Sequence, residues 1–136
     1  MVDLVINRNC LYQTAYHVVW CPKYPDILTG PIAAETGTLL EAVCRERGWR
    51  VISQQIQPDH IHLFVSIPPA IAVADAVKVL KGVSARHLFQ RFPALKKRPS
   101  GGHLWSPSYY VGTAGTLSAT TIQRYIKRAE QVTKRR

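Results

Sequence analysis

With 136 residues, 46% of them hydrophobic, the chain is long enough for one domain with its own core and too apolar to be disordered. Eighteen Lys and Arg against eight Asp and Glu give a formal charge of +10, which points to a polyanionic partner, nucleic acid before an anionic membrane. No apolar run approaches the ~18 residues of a membrane span, no basic start leads into a signal-type segment, and three cysteines without a C-x-x-C pair exclude a disulfide framework and a thiolate zinc site, so the expectation is a cytoplasmic protein.

Residues 1–10 carry little pattern and are expected to form a short arm. Thr14 to Cys21, rich in β-branched and aromatic residues, predicts a first strand closed by Pro22 and Pro25, with Lys23 and Tyr24 in the exit loop. Ile32, Leu39, Leu40, Val43 and Cys44 recur at helical spacing up to Gly48, a good terminator. Cys21 and Cys44 fit as small core residues. Trp49 to Ile56 predicts a second strand, and Pro58-Asp59 a short turn, so that His60 to Ile67 returns antiparallel as a hairpin.

After Pro68-Pro69, the positions Val73, Val77, Leu80, Ser84, Leu88 and Phe92 mark a long amphipathic helix whose off-stripe Lys78, Lys81 and Arg86 make a basic outer surface. Pro93 to Gly102, with Lys96, Lys97 and Arg98, predicts a mobile basic loop. Trp105 to Val111 is the fourth predicted strand. Gly112 and Gly115 loosen the link to a last helix capped near Ser118, which passes through Tyr125 and ends in a basic tail at 132–136. The order βαββαβ, with one added C-terminal helix, is the ferredoxin-like or RRM-like α+β pattern with a four-stranded antiparallel sheet. Nothing in the sequence splits residues 1–136 into two domains.

Alternation in Pro58-Asp59-His60-Ile61-His62-Leu63-Phe64-Val65-Ser66-Ile67 puts Ile61, Leu63, Val65 and Ile67 on one face and His60, His62, Phe64 and Ser66 on the other. At ~3.3 Å per strand residue the two histidines stand roughly 7 Å apart at their Cα atoms, a spacing that lets both rings converge on one divalent ion. A spaced His pair is also an ordinary half-exposed strand face. On the last helix, Ile122 and Ile126 face the sheet, and Tyr125 beside them, flanked by Arg124 and Arg128, is a candidate nucleophile for a phosphodiester. A lone helical Tyr is also an ordinary packing residue with a wet hydroxyl.

Five stretches in sequence resemble the single-tyrosine HUH transposases of the insertion-sequence 200/605 group. They are Tyr16-His17-Val18-Val19-Trp20-Cys21-Pro22-Lys23-Tyr24, Pro58-Asp59-His60-Ile61-His62-Leu63, Leu80-Lys81-Gly82-Val83-Ser84-Ala85-Arg86, Leu104-Trp105-Ser106-Pro107-Ser108-Tyr109-Tyr110 and Ile122-Gln123-Arg124-Tyr125-Ile126. The resemblance implies that His60 and His62 bind Mg²⁺ or Mn²⁺ and that Tyr125 attacks single-stranded DNA, leaving a 5′-phosphotyrosine link and a free 3′-OH. It implies recognition of hairpins near the DNA ends and a homodimer in which the His pair of one subunit works with the Tyr of the other, with no nucleotide cofactor and no membrane. Lys23, Lys78, Lys81, Arg86, Lys96, Lys97, Arg98 and Arg124 are then the expected DNA contacts.

The family's usual third metal ligand, a Gln four residues after the tyrosine, is replaced here by Ala129. On a regular helix Glu130 and Gln131 lie about 140° and 120° from the Tyr125 direction, against about 40° for position 129. Local unwinding before the polar tail would bring in Gln131, ahead of Glu130. Alternatively a water fills the place, or this copy binds DNA without efficient cleavage. Two other readings stand beside the transposase: a non-catalytic RRM-like single-strand binder, and a host-retained relative that nicks hairpins without mobilising an element.

Overall fold

Two periodicities build the molecule: residue-by-residue alternation in the strands of a sheet, and three- and four-residue steps in two helices packed on one of its faces. The computed structural model describes residues 5–6, 11–97, 102–113 and 124–128. In chain order the elements are β1 (Val5–Ile6), β2 (Leu11–Tyr12), β3 (Ala15–Trp20), α1 (Gly30–Glu46), β4 (Arg50–Gln57), β5 (His60–Ser66), α2 (Val73–Arg91), a 3-10 turn (Pro93–Lys97) and β6 (Tyr110–Thr113). Residues 124–128 are helical.

The four longer strands form one sheet in the order β4-β5-β3-β6, with every neighbouring pair antiparallel. Helices make the two long connections, β3 to β4 and β5 to β6, so the expected α+β βαββαβ arrangement is the observed one. The β4–β5 hairpin closes at Gln57↔His60, around Pro58 and Asp59 as expected.

Val18, Trp20, Ile61, Leu63 and Val65, all without solvent exposure, project from β3 and β5 into one core. There they meet Leu40, Val43 and Cys44 of α1 and Val77, Leu80 and Leu88 of α2. Cys21 and Cys44 are free and buried, as expected. Burial pushes the Cys44 thiol up to about 11, which leaves it a packing group rather than a nucleophile. α1 starts with Pro31 in its first turn and ends just before Gly48, whose φ of 75° lets the chain reverse into β4. Between the helices, His87 Nε2 lies 2.8 Å from Glu35 Oε1.

Four expectations require correction. The patternless arm carries β1, which pairs with β2 as a separate two-stranded sheet; strands of two residues are too short to leave a periodic signal. The fourth strand is Tyr110–Thr113, not Trp105 to Val111. Trp105 makes only an isolated bridge to Pro22, because its indole turns inward and donates to Lys81 O and Ser84 Oγ, each at 3.1 Å, and Pro107 has no N–H for a ladder. The first half of the predicted basic loop is instead the 3-10 turn at Pro93–Lys97, pinned by buried Leu95, with Lys96 Nζ 5.8 Å from the centre of the Phe89 ring. Gly112 is not a loose link but part of β6, paired with His17; a Cβ there would lie 2.7 Å from the Tyr110 hydroxyl, so the tyrosine occupies the space a side chain would take. Ala114, Gly115, Ser118 and the 132–136 tail lie outside the described residues.

The two faces of the sheet should separate in stability measurements. Leu63→Ala opens a hole in the core and should cost about 2–5 kcal/mol in urea unfolding. Gln55→Ala, at an exposed position paired with His62, should stay within about 0.5 kcal/mol of the parent.

Candidate active site

β5 is an inner strand, hydrogen-bonded to β4 on one side and β3 on the other. Its apolar residues point into the core, which obliges His60, His62 and Phe64 to stand on the opposite face, where all three are half-buried. The turn orients the first of them: His60 Nδ1 donates to Asp59 Oδ1 at 2.8 Å, which fixes the ring and leaves Nε2 as its second nitrogen. The second meets a residue from the neighbouring strand. His62 Nε2 lies 2.9 Å from His17 Nδ1, one nitrogen donating its N–H to the other. His17 in turn stacks on Phe64, with ring centres 4.2 Å apart and planes within 8°.

Burial holds both His17 and His62 below the ordinary histidine range; for His62, charge on His17 and His60 adds to the effect. Both are therefore neutral imidazoles around pH 7, the form that ligates metals. The donor set fits a divalent first-row ion, which imidazole nitrogen suits. Among the described residues, however, no three His, Cys, Asp or Glu side chains gather as a metal site. Ala129, Glu130 and Gln131 lie outside the described residues, so the predicted third ligand has no described position.

Tyr125 belongs to the helical stretch 124–128 and is half-buried. Its hydroxyl lies 3.2 Å from Ser108 Oγ of the same chain. Burial pushes the phenol up to about 12, Cys21 adding to the rise and the Ser108 hydrogen bond working against it. Such a phenol is protonated at neutral pH and becomes a nucleophile only when its proton is taken or the phosphate is strongly polarised.

Ser108 is held from α2. Lys81 Nζ donates to Ser106 O at 2.7 Å and to Ser108 O at 3.2 Å. Lys81 is thus not part of an outer basic surface: it is half-buried, its pKa is lowered chiefly by burial, and it clamps the segment beside Tyr125. Ser108, which the phenol contacts, lies two residues before β6. Val19 of β3, which pairs with both Tyr110 and His62, is the link between that strand and the imidazoles.

The expected DNA-contact residues are divided. Lys78 and Arg86 are exposed on α2, where with Arg47 they line one groove, and α2 covers the face of the sheet opposite the imidazoles. Lys96 and Lys97 are exposed on the 3-10 turn, Arg124 is exposed beside Tyr125, and Lys23 is half-buried at the exit of β3. Arg98 lies outside the described residues. No helix among the described residues is long and apolar enough to cross a membrane.

Residues 10–129 match the family described as "Transposase IS200 like". The chain belongs to the IS200-like transposase family. It is 40% identical over 127 residues to the ISDra2 transposase TnpA of Deinococcus radiodurans, a match covering 93% of this chain and 91% of that one. The transposase for insertion sequence element IS200 of Salmonella typhimurium is 34% identical over 117 residues, or 85% of this chain and 76% of that one. A crystal structure of a Deinococcus radiodurans protein identified as a transposase superposes with a TM-score of 0.85 at 34% identity, covering 92% of this chain and 97% of that one. A REP-associated tyrosine transposase bound to a REP hairpin shares the fold alone, with a TM-score of 0.50 at 11% identity over 90% of this chain and 67% of that one. As an IS200-like transposase the protein is a DNA strand-transfer enzyme.

Sequence reasoning did not single out His17 or Ser108 within the stretches that contain them. For His17 a signal existed: alternation puts it on the face of β3 opposite Val18 and Trp20. Its partner, though, depends on strand pairing across 45 residues. Ser108 had no comparable signal.

The Tyr125 phenol supplies a pH test. Its folded value lies above the ordinary ~10 of the unfolded chain, so its contribution to stability is complete below pH ~10 and lost as pH rises through about 12. In rapid pH jumps, the phenolate absorbance of the parent minus Tyr125→Phe should rise near 12. Ser108→Ala should move it higher by removing the one interaction that lowers it.

Proposed function

We propose that this IS200-like transposase cleaves and rejoins hairpin-bearing single-stranded DNA through a 5′-phosphotyrosine link, with Tyr125 as nucleophile and His60 and His62 holding Mg²⁺ or Mn²⁺. We read the whole chain, 1–136, as one domain built for that reaction. The observation that carries the proposal is the pair of imidazoles on the face of an inner strand turned away from the core, in a chain whose residues 10–129 match this transposase family.

A bound divalent cation supplies polarisation of the scissile phosphate. The remaining chemistry belongs to the chain. The Tyr125 oxygen forms a bond to phosphorus as the bond to the 3′-oxygen breaks, and the phenolic proton ends on that 3′-oxygen. The reverse reaction with a different 3′-OH exchanges strands, one ester for another, so no high-energy cofactor is consumed. Ser108, clamped by Lys81, holds the phenol before attack. Exposed Arg124 beside it, and Lys78, Arg86, Lys96 and Lys97, contact phosphates and supply affinity without reading sequence. The hairpin-bound fold relative is consistent with that partner class. Gln131 remains our candidate for a further metal ligand.

Incubation with Mn²⁺ and a hairpin substrate bearing its cleavage point should give a denaturation-resistant adduct that mass spectrometry maps to Tyr125. Tyr125→Phe should eliminate it. His60→Ala or His62→Ala should abolish cleavage while hairpin affinity stays within a few-fold, since affinity comes from phosphate contacts. No adduct with either the parent or Ala129→Gln on a verified substrate would reduce the protein to a single-strand binder.

We further propose that the working unit is a homodimer sharing its sites. Mixing a His60→Ala/His62→Ala subunit with a Tyr125→Phe subunit should then restore part of the cleavage lost by each. Absence of rescue in verified heterodimers would mean that each chain uses its own tyrosine, the one now at its own Ser108.

A further inference from the structure

We propose that His17 is a ligand of the divalent cation, forming with His60 and His62 a three-imidazole set on the face of the sheet turned away from the core. The inference rests on the metal reading above and extends it to a residue on another strand.

The register provides the placement. His17 pairs with Phe64 and Val19 with His62, so His17 stands one diagonal step from His62 on the same face. Their facing ring nitrogens are 2.9 Å apart. Two nitrogens at right angles around a divalent ion, each ~2.1 Å from it, are themselves ~3.0 Å apart. The observed separation therefore suits a shared cation as well as a shared proton.

The His17 ring is also fixed in advance. Its stack on Phe64, 4.2 Å between centres and 8° between planes, keeps Nδ1 turned toward His62. His60 shares the strand face two residues away, with Nδ1 engaged by Asp59 and Nε2 as its remaining donor, the usual outer-sphere arrangement of a ligating histidine. The three rings do not gather at one point in this structure, so closing the set asks His60 and its hydrogen-bonded Asp59 to move together toward the other two rings.

Ala129 gives the set its purpose. Its methyl group, four residues after Tyr125 in the sequence, offers no donor, and His17 would supply from the sheet a ligand that position 129 cannot. Three imidazole nitrogens also carry a selectivity: they favour Mn²⁺ or Co²⁺ over Mg²⁺, which prefers oxygen.

The test uses the full chain and the metal alone, without DNA. Mn²⁺ affinity is measured by electron paramagnetic resonance, and bound imidazole nitrogens are counted by pulsed spectroscopy on the same samples. His17→Ala and His17→Phe are both made, since Phe keeps the stack on Phe64 and removes only the nitrogens. The parent should bind Mn²⁺ more tightly than Mg²⁺. Each variant should bind Mn²⁺ at least about tenfold more weakly and show one imidazole fewer.

Parent-like affinity and nitrogen count in His17→Phe, with binding lost in His62→Ala, would overturn this inference alone. Weaker binding with an unchanged nitrogen count would also overturn it and leave His17 as a positioning residue. A parent that binds no Mn²⁺ would overturn both this inference and the metal reading on which it rests.

Discussion

Everything in the site depends on β5 being paired on both edges. A strand between two neighbours can neither slide nor rotate without breaking two ladders, so the direction of each side chain follows from the register. Ile61, Leu63 and Val65 are committed to the core, and that commitment holds the imidazoles outward. The site is therefore positioned by hydrophobic burial on the far side of the sheet. Its stiffness comes from a core that takes no part in the chemistry.

The tyrosine side of the site is organised by polar contacts instead. Among the described residues between α2 and β6 the one sheet-type pairing is an isolated bridge at Trp105, so residues 104–108 have little sheet pairing to hold them. Backbone bonds from Lys23 N to Leu104 O and from Ser106 N to Cys21 O fasten one side. Lys81 and the Trp105 indole fasten the other to α2. Burying an ammonium costs free energy, which its two carbonyl acceptors offset. The result is a rigid platform that carries Ser108 to the phenol. The groove lined by Arg47, Lys78 and Arg86 lies on the other side of the molecule, so this basic groove and the imidazoles are kept apart by the thickness of the sheet.

Much of this was legible in the sequence because it is periodic. The alternation from His60 to Ile67 gave both the strand and its two faces, and the three- and four-residue steps from Val73 gave the helix behind it. Gly48 and Pro58-Asp59 marked ends that the structure keeps. What stayed hidden is non-local. His17 meets His62 because β3 lies beside β5, a pairing no local pattern encodes. Lys81 looked like a surface charge because its position falls off the apolar stripe; what buries it is a segment that follows 25 residues later. Trp105 looked like a strand residue because aromatic propensity favours strands, yet its indole found partners on a helix.

The tight return at Pro58-Asp59 has a consequence for how this site can change. Side-chain direction on β5 has a period of two, so losing or gaining one residue in that turn would send His60 and His62 toward the core and Ile61 and Leu63 toward solvent. Substitutions on the face opposite the core alter that surface one group at a time, whereas a change of length inverts it all at once. The lineage of this fold can thus try new side chains at these positions freely, provided the count of residues through the turn is kept.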